Sequence, residues 1–201
     1  MTETNPASPK VSADARPEVF VITGPSGVGK GTLIRLLLER HRGLGLSISA
    51  TTRAPREGER HGEHYYFLSA EEFSRGVDAG EFVEHASYSG NRYGTLRSEL
   101  SRHGAGGGVV LEIELQGARQ VRETMPEAHQ IFIAPPSYET LRARLIGRGT
   151  DSAADIERRL AVAREELAAR DEFERVVVND DLETAVEALD AIVSASHRSP
   201  A

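Results

Sequence analysis

The run Gly24-Pro25-Ser26-Gly27-Val28-Gly29-Lys30-Gly31-Thr32 carries the residue types that grip a chain of phosphates. Glycines let a backbone curl until several amide N–H groups point at one anion. Lys30 adds a mobile cation for the outer phosphates, and a helix starting there would add its positive dipole end. The flanks supply that context. Apolar Val19-Phe20-Val21-Ile22 comes before, and Leu33-Ile34-Arg35-Leu36-Leu37-Leu38 comes after, giving strand, glycine loop and helix. This predicts a nucleoside polyphosphate site. One position is unusual: Gly31 stands where Ser or Thr commonly follows the lysine and helps to hold magnesium. Thr32, one residue later, is the candidate metal contact.

A second anion site is suggested by Ser47-Ile48-Ser49-Ala50-Thr51-Thr52-Arg53-Ala54-Pro55-Arg56-Glu57-Gly58-Glu59. Its two arginines lie three apart in a hydroxyl-rich loop, and guanidinium forks match phosphate oxygens in a bidentate way. A solvated basic turn would look the same. Tyr65, Glu84, Tyr93 and Glu114 add phenol donors for a phosphate and carboxylates able to accept from the N1–H and amino group of guanine. Each, taken singly, is more often a surface or core residue.

These residues need a frame. At 201 residues the chain suits one α/β domain with insertions. Its net charge is −7, from 24 basic and 31 acidic residues, which argues against sequence-independent nucleic-acid binding. No cysteine is present, so disulfides and cysteine-based zinc sites are excluded. Residues 1–16 are polar and read as a disordered tail. No stretch has the length of a membrane span, so a soluble cytoplasmic protein without membrane partners is expected. The seven histidines show no metal-ligand spacing and read as surface residues.

Pattern and punctuation predict strands over 18–23, 46–50, 64–68, 81–88, 109–115, 130–134 and 175–178. Helices are expected over 30–41, 95–103, 116–125, 137–146 and 181–195. Two more open at Ser69 and Ser152, the first with a capping box to Glu72 and a stop at Gly80. Apolar strands alternating with helices imply a parallel sheet covered on both faces. The aromatic region from about 48 to 97 interrupts that rhythm as an inserted lobe.

Together these segments resemble the guanylate kinase family, nearly end to end from Val19 to Val193. GPSGVGKGTL, SISATTRAPREGE, HYYFLS, GEFVEHASYSGNRYGT, LEIELQGAR, IFIAPPS, LRARLIGRGT and VVVNDDL carry the resemblance. It implies a three-layer P-loop kinase core with a parallel sheet, an inserted mixed α+β GMP-binding lobe and a helical lid. The implied domain covers 17–197, with core 17–47, 98–140 and 169–197, GMP lobe 48–97 and lid 141–168.

The implied reaction moves the γ-phosphoryl group of ATP to GMP, and to dGMP, with Mg²⁺ as cofactor, in purine nucleotide metabolism. By motif position Arg53, Arg56, Tyr65 and Tyr93 would hold the GMP phosphate, and Ser49, Glu84, Thr95 and Glu114 would read the guanine. Lys30, Arg53, Arg144, Arg148 and Arg159 would be catalytic, the last three as lid arginines. Two positions depart from the common pattern: Glu114 replaces Asp and Thr95 replaces Ser. Another P-loop kinase of a small phosphorylated acceptor is the enzymatic alternative. A guanylate kinase-like module that holds a phosphopeptide is the non-enzymatic one, although such modules typically have degraded phosphate loops.

Overall fold

A strand with apolar residues on both faces needs cover on both sides, and β1 (Glu18–Thr23) receives it. The computed structural model describes residues 17–88, 90–103, 107–147 and 152–196. The expected tail over 1–16 lies outside them. Five parallel strands form the main sheet: β1, β2 (Leu44–Leu46), β7 (Gly108–Glu112), β8 (His129–Ala134) and β9 (Arg175–Val178). Their order is β2-β7-β1-β8-β9, which puts β1 in the centre.

One face of this sheet, with Phe20, Ile22, Val110, Ile131 and Ile133, packs on four helices. These are α1 (Lys30–Arg40), α5 (Tyr138–Gly147), α6 (Ala153–Ala168) and α7 (Leu182–Ser196). They contribute Leu33 and Leu37, Leu141 and Leu145, Leu160 and Ala163, and Leu189 and Val193. The other face, with Val19, Val21, Val109, Leu111 and Phe132, packs on Ala118 and Val121 of α4 (Leu115–Thr124). Helix, sheet, helix is the three-layer arrangement expected of the fold class.

Between β2 and β7 the chain builds a second sheet, β4-β3-β6-β5, from β3 (Ser49–Thr51), β4 (Tyr66–Phe67), β5 (Phe82–Tyr88) and β6 (Asn91–Leu96). It is mixed: β3 runs parallel to β4 and antiparallel to β6. α2 (Ala70–Asp78) covers it, packing Phe73 on Phe82 with ring centroids 4.4 Å apart. α3 (Arg97–His103) returns the chain to the main sheet. Among the described residues no helix is long and apolar enough to cross a membrane.

Three expected elements differ. The strand over 46–50 is two strands in two sheets, because Leu46 pairs with Val110 while Ser49 pairs with Thr95. Continuous β-propensity cannot reveal a change of partner. Thr95 and Leu96 belong to β6 rather than to a helix, since cross-strand pairing to Ser49, Glu84 and Phe82 overrides local propensity. β7 ends at Glu112, and Glu114 is the N-cap of α4 rather than a strand residue. The histidines are not all at the surface: His129 stacks on Phe20, and His103 is half-buried against Gly45.

The capping box at Ser69 is present. Ser69 Oγ accepts the Glu72 N–H at 3.1 Å, and the Ser69 N–H donates to Glu72 Oε2 at 2.7 Å. Ser69→Ala should lower stability by about 1 kcal/mol in urea unfolding. An unmoved midpoint would show that the box does not support α2.

Candidate active site

The glycine loop joins β1 to α1 and is shaped by what lies against it. Gly24 has φ 141°, and a Cβ there would sit 2.2 Å from the Ile133 carbonyl oxygen, so only glycine fits. Leu145 and Asn179 press in the same way on Gly27 and Gly29. Asn179 Nδ2 donates to the Val28 carbonyl at 2.8 Å and fixes the loop from β9's side of the sheet. Lys30 Nζ donates to the Gly24 carbonyl at 2.6 Å, curling over the loop. Gly31 differs from the loop's other glycines: a side chain there would meet open space.

A cavity of about 440 Å³ runs from this loop to the second sheet. Gly24, Ser26 and Lys30 line it from the loop, and Ser49, Tyr65, Glu84 and Tyr93 from the second sheet and its connections, with Glu114 and Arg159 also in its wall. A smaller cleft of about 410 Å³ lies on the loop's outer side, lined by Ser26, Gly29, Lys30, Gly31, Thr32 and Glu112. Between them the two cavities gather most of the residues singled out from the sequence.

At the far end Glu84 is 4% exposed and accepts Thr95 Oγ1–H at 2.8 Å. Thr95 itself is fully buried, so its hydroxyl serves Glu84 rather than the cavity. Burial raises the Glu84 carboxyl above the ordinary value, and the Thr95 bonds oppose that rise. Gly117 of α4 makes room for Glu84, since a Cβ at that position would stand 2.3 Å from Oε2. Glu114 caps α4 without a side-chain cap bond. Burial and the nearby Glu166 charge, with a smaller push from Glu84, raise it to about 7 against the pull of Lys30.

Arg53 is not among the residues that line the cavity; its guanidinium lies over the ring of Tyr65, which does, at 5.3 Å from the centroid. It is paired with Glu59, which also accepts the Arg56 backbone N–H at 2.7 Å. These bonds hold Glu59 at about 2. The Arg56 side chain is exposed. Of the three expected lid arginines, Arg159 lines the cavity and Arg144 reaches the Val28 carbonyl at 3.4 Å. Arg148 lies outside the described residues.

Sequence reading missed Glu112, Glu166 and Asn179 as part of this site. Glu112 closes the apolar strand Val109-Val110-Leu111 directly beside Ile22 of β1. An acidic residue ending a buried strand next to a phosphate loop was the available signal. Asn179 follows Val177-Val178 in the same manner. Glu166 gave no signal: α6 has several acidic residues, and only packing brings this one to Ser26 and Lys30.

The guanylate kinase family model matches residues 16–196. The chain belongs to the guanylate kinase family. A guanylate kinase from Synechococcus sp. (strain CC9311) is 57% identical, over 88% of this chain and 92% of that protein. One from Streptomyces coelicolor is 50% identical, over 96% of this chain and 99% of its own length. The crystal structure of guanylate kinase from Anaplasma phagocytophilum superposes with a TM-score of 0.74 at 34% identity, covering 92% of this chain and 88% of that one. Family membership accounts for the two-ended cavity, with a phosphate loop facing a carboxylate- and phenol-lined pocket.

Glu114 makes the metal-free protein's stability depend on pH. Its folded-state value lies above the ordinary 4.5, so between about 4.5 and about 7 the folded protein binds more protons than the unfolded chain. Its contribution to stability therefore falls as pH rises through that window. Glu114→Gln should flatten this part of the curve of urea midpoint against pH. A slope that the substitution leaves unchanged would mean that Glu114 keeps its ordinary ionisation.

Proposed function

We propose that this chain transfers the γ-phosphoryl group of ATP to GMP, and to dGMP, giving ADP and the nucleoside diphosphate. The observation that carries the reading is the single cavity with the Lys30 loop at one end and Glu84, Tyr65 and Tyr93 at the other. Donor and acceptor phosphates meeting midway would leave little covalent chemistry for the protein, so positioning and electrostatic stabilisation would do the catalysis. In this reading residues 48–97 form the GMP lobe, 141–168 the lid, and 17–47, 98–140 and 169–197 the core. The activity belongs to cytoplasmic purine nucleotide recycling.

The loop's amides from Gly24 to Thr32 would cradle the ATP phosphates, with Lys30 moving from the Gly24 carbonyl to the outer phosphates. Arg53, Arg56, Tyr65 and Tyr93 would hold the GMP phosphate, and Ser49, Glu84 and Glu114 the guanine, with Thr95 orienting Glu84. A carboxylate accepting both N1–H and the amino group selects guanine, because adenine would leave it buried and unpaired. Arg144, Arg148 and Arg159 would stabilise charge on the transferring group and exclude water as the lid closes. The acceptor is an ionised phosphate, so no general base is needed.

The smaller cleft offers hard oxygen donors, the Thr32 hydroxyl and the Glu112 carboxylate, beside the loop. That donor set fits Mg²⁺, which takes oxygen ligands and keeps several waters. Bound there with ATP, Mg²⁺ would neutralise charge on the phosphates. Thr32 and Glu112 would hold it directly or through water.

An acceptor screen that follows ADP production tests the proposal: GMP should be used far faster than AMP, UMP or a ribose phosphate. Faster turnover of any of these would overturn the assignment. Lys30→Ala should cut turnover by on the order of 10²–10³-fold while leaving the unfolding midpoint near that of the parent. Normal turnover would remove Lys30 from the reaction. Gly31→Ser should be tolerated, because its side chain enters open space. Thr32→Ala should raise the Mg²⁺ concentration required for half-maximal rate, and an unchanged requirement would end its metal role.

A further inference from the structure

The Arg53 guanidinium is half committed before any ligand arrives. Nη1 donates to Glu59 Oε2 at 2.9 Å and to the Ala54 carbonyl at 2.7 Å, and Nη2 donates to Glu59 Oε1 at 2.8 Å. A guanidinium carries one hydrogen on Nε and a pair on each Nη. Glu59 and Ala54 therefore occupy both hydrogens of Nη1 and the inner one of Nη2. What remains is the hydrogen on Nε and the outer one on Nη2. They lie side by side on one edge and form a second complete fork. Tyr93 also acts on the guanidinium and favours its charged form, which links Arg53 to another residue proposed to hold the acceptor phosphate. The guanidinium also lies over two rings, Tyr65 at 5.3 Å and Phe67 at 5.9 Å from their centroids.

Glu59 is itself held by the loop and not only by Arg53. It accepts the Arg56 N–H, and its own N–H donates to the Arg56 carbonyl at 3.0 Å, closing a turn through Gly58 at φ 82°. Its carboxylate would stay in place if the arginine left. Both side chains of the pair are mostly shielded, at 15% and 17% exposure. A long arginine side chain otherwise gives up rotamer freedom when it binds a ligand, and here that freedom is already lost.

We propose that Glu59 is a positioning residue: it grips the terminal edge of Arg53 and thereby presents the Nε–Nη2 edge to the acceptor phosphate. This rests on the reading of Arg53 as a GMP-phosphate ligand. Glu59 would not touch the substrate. Its effect would appear in acceptor binding and not in the use of ATP.

Steady-state kinetics of Glu59→Gln, Glu59→Asp and Arg53→Ala, each checked by thermal unfolding, tests the idea. Glu59→Gln keeps the size but replaces one acceptor oxygen by a donor that opposes the guanidinium. It should raise KM for GMP by about tenfold or more, the loss of one charge-assisted bond, with KM for ATP unchanged. The inhibition constant of guanosine, which lacks the phosphate, should also stay constant. Glu59→Asp keeps the charge and should recover part of the loss, and it carries the test if the Gln variant does not fold. A lower KM for GMP in Glu59→Gln would make Glu59 a competitor of the phosphate and overturn the proposal. Equal changes in both KM values, or none, would overturn it too. If Arg53→Ala leaves KM for GMP unchanged, the reading of Arg53 has failed. If Arg53→Ala raises it and Glu59→Gln does not, only the role of Glu59 has failed.

Discussion

At Gly24 the backbone passes so close to the Ile133 carbonyl that no side chain fits between them, and the phosphate loop takes its form from that approach. β8 supplies the floor, Leu145 of α5 presses on Gly27, and Asn179 after β9 ties down Val28. The loop's amides are thus aimed by three elements distant in sequence. Donors fixed in this way cost no reorganisation when an anion arrives, which makes backbone groups strong stabilisers of developing charge.

The opposite end of the cavity is organised by side chains instead. Thr95 holds Glu84, Gly117 leaves space for it, and Glu59 holds Arg53. Such networks are strong when every member is satisfied, because the low dielectric that strengthens each bond also penalises an unpaired group. Glu84, Glu112, Glu114 and Glu166 all border the main cavity with Lys30 and Arg159. Burial raises Glu84, Glu114 and Glu166 above the ordinary carboxylate value, and at Glu114 the charges of Glu166 and Glu84 add to it. Adding phosphates to such a cleft calls for more positive charge than it holds when empty, which arginines from α5 and α6 and a divalent cation would supply.

Much of this was legible in the residues. The loop announced itself because its chemistry is local: strand, glycines, lysine and helix are consecutive. β1 and β9 were placed to the residue, since buried parallel strands read as short apolar runs. The change of sheet at Ser47-Ile48 was hidden, because pairing partners leave no mark on a strand's own sequence. Glu59 and Glu166 were hidden for a related reason. A carboxylate in a charged loop or on an acidic helix looks solvated until the fold sets it against Arg53 or Lys30. Thr95 was assigned to the guanine end, but nothing in its type showed that its hydroxyl would be spent on Glu84.

β1 is the first strand of the described chain and the middle strand of its sheet, between β7 and β8. During synthesis it leaves the ribosome with both edges unpaired and both apolar faces uncovered. Its neighbours are made only after the whole second sheet has emerged, and Asn179 later still. A nascent chain therefore carries the glycine loop long before it has the loop's shape. Non-local pairing of this kind is slow and leaves strand edges open to wrong partners. Nucleotide can meet the shaped loop only once β8, α5 and Asn179 have been made.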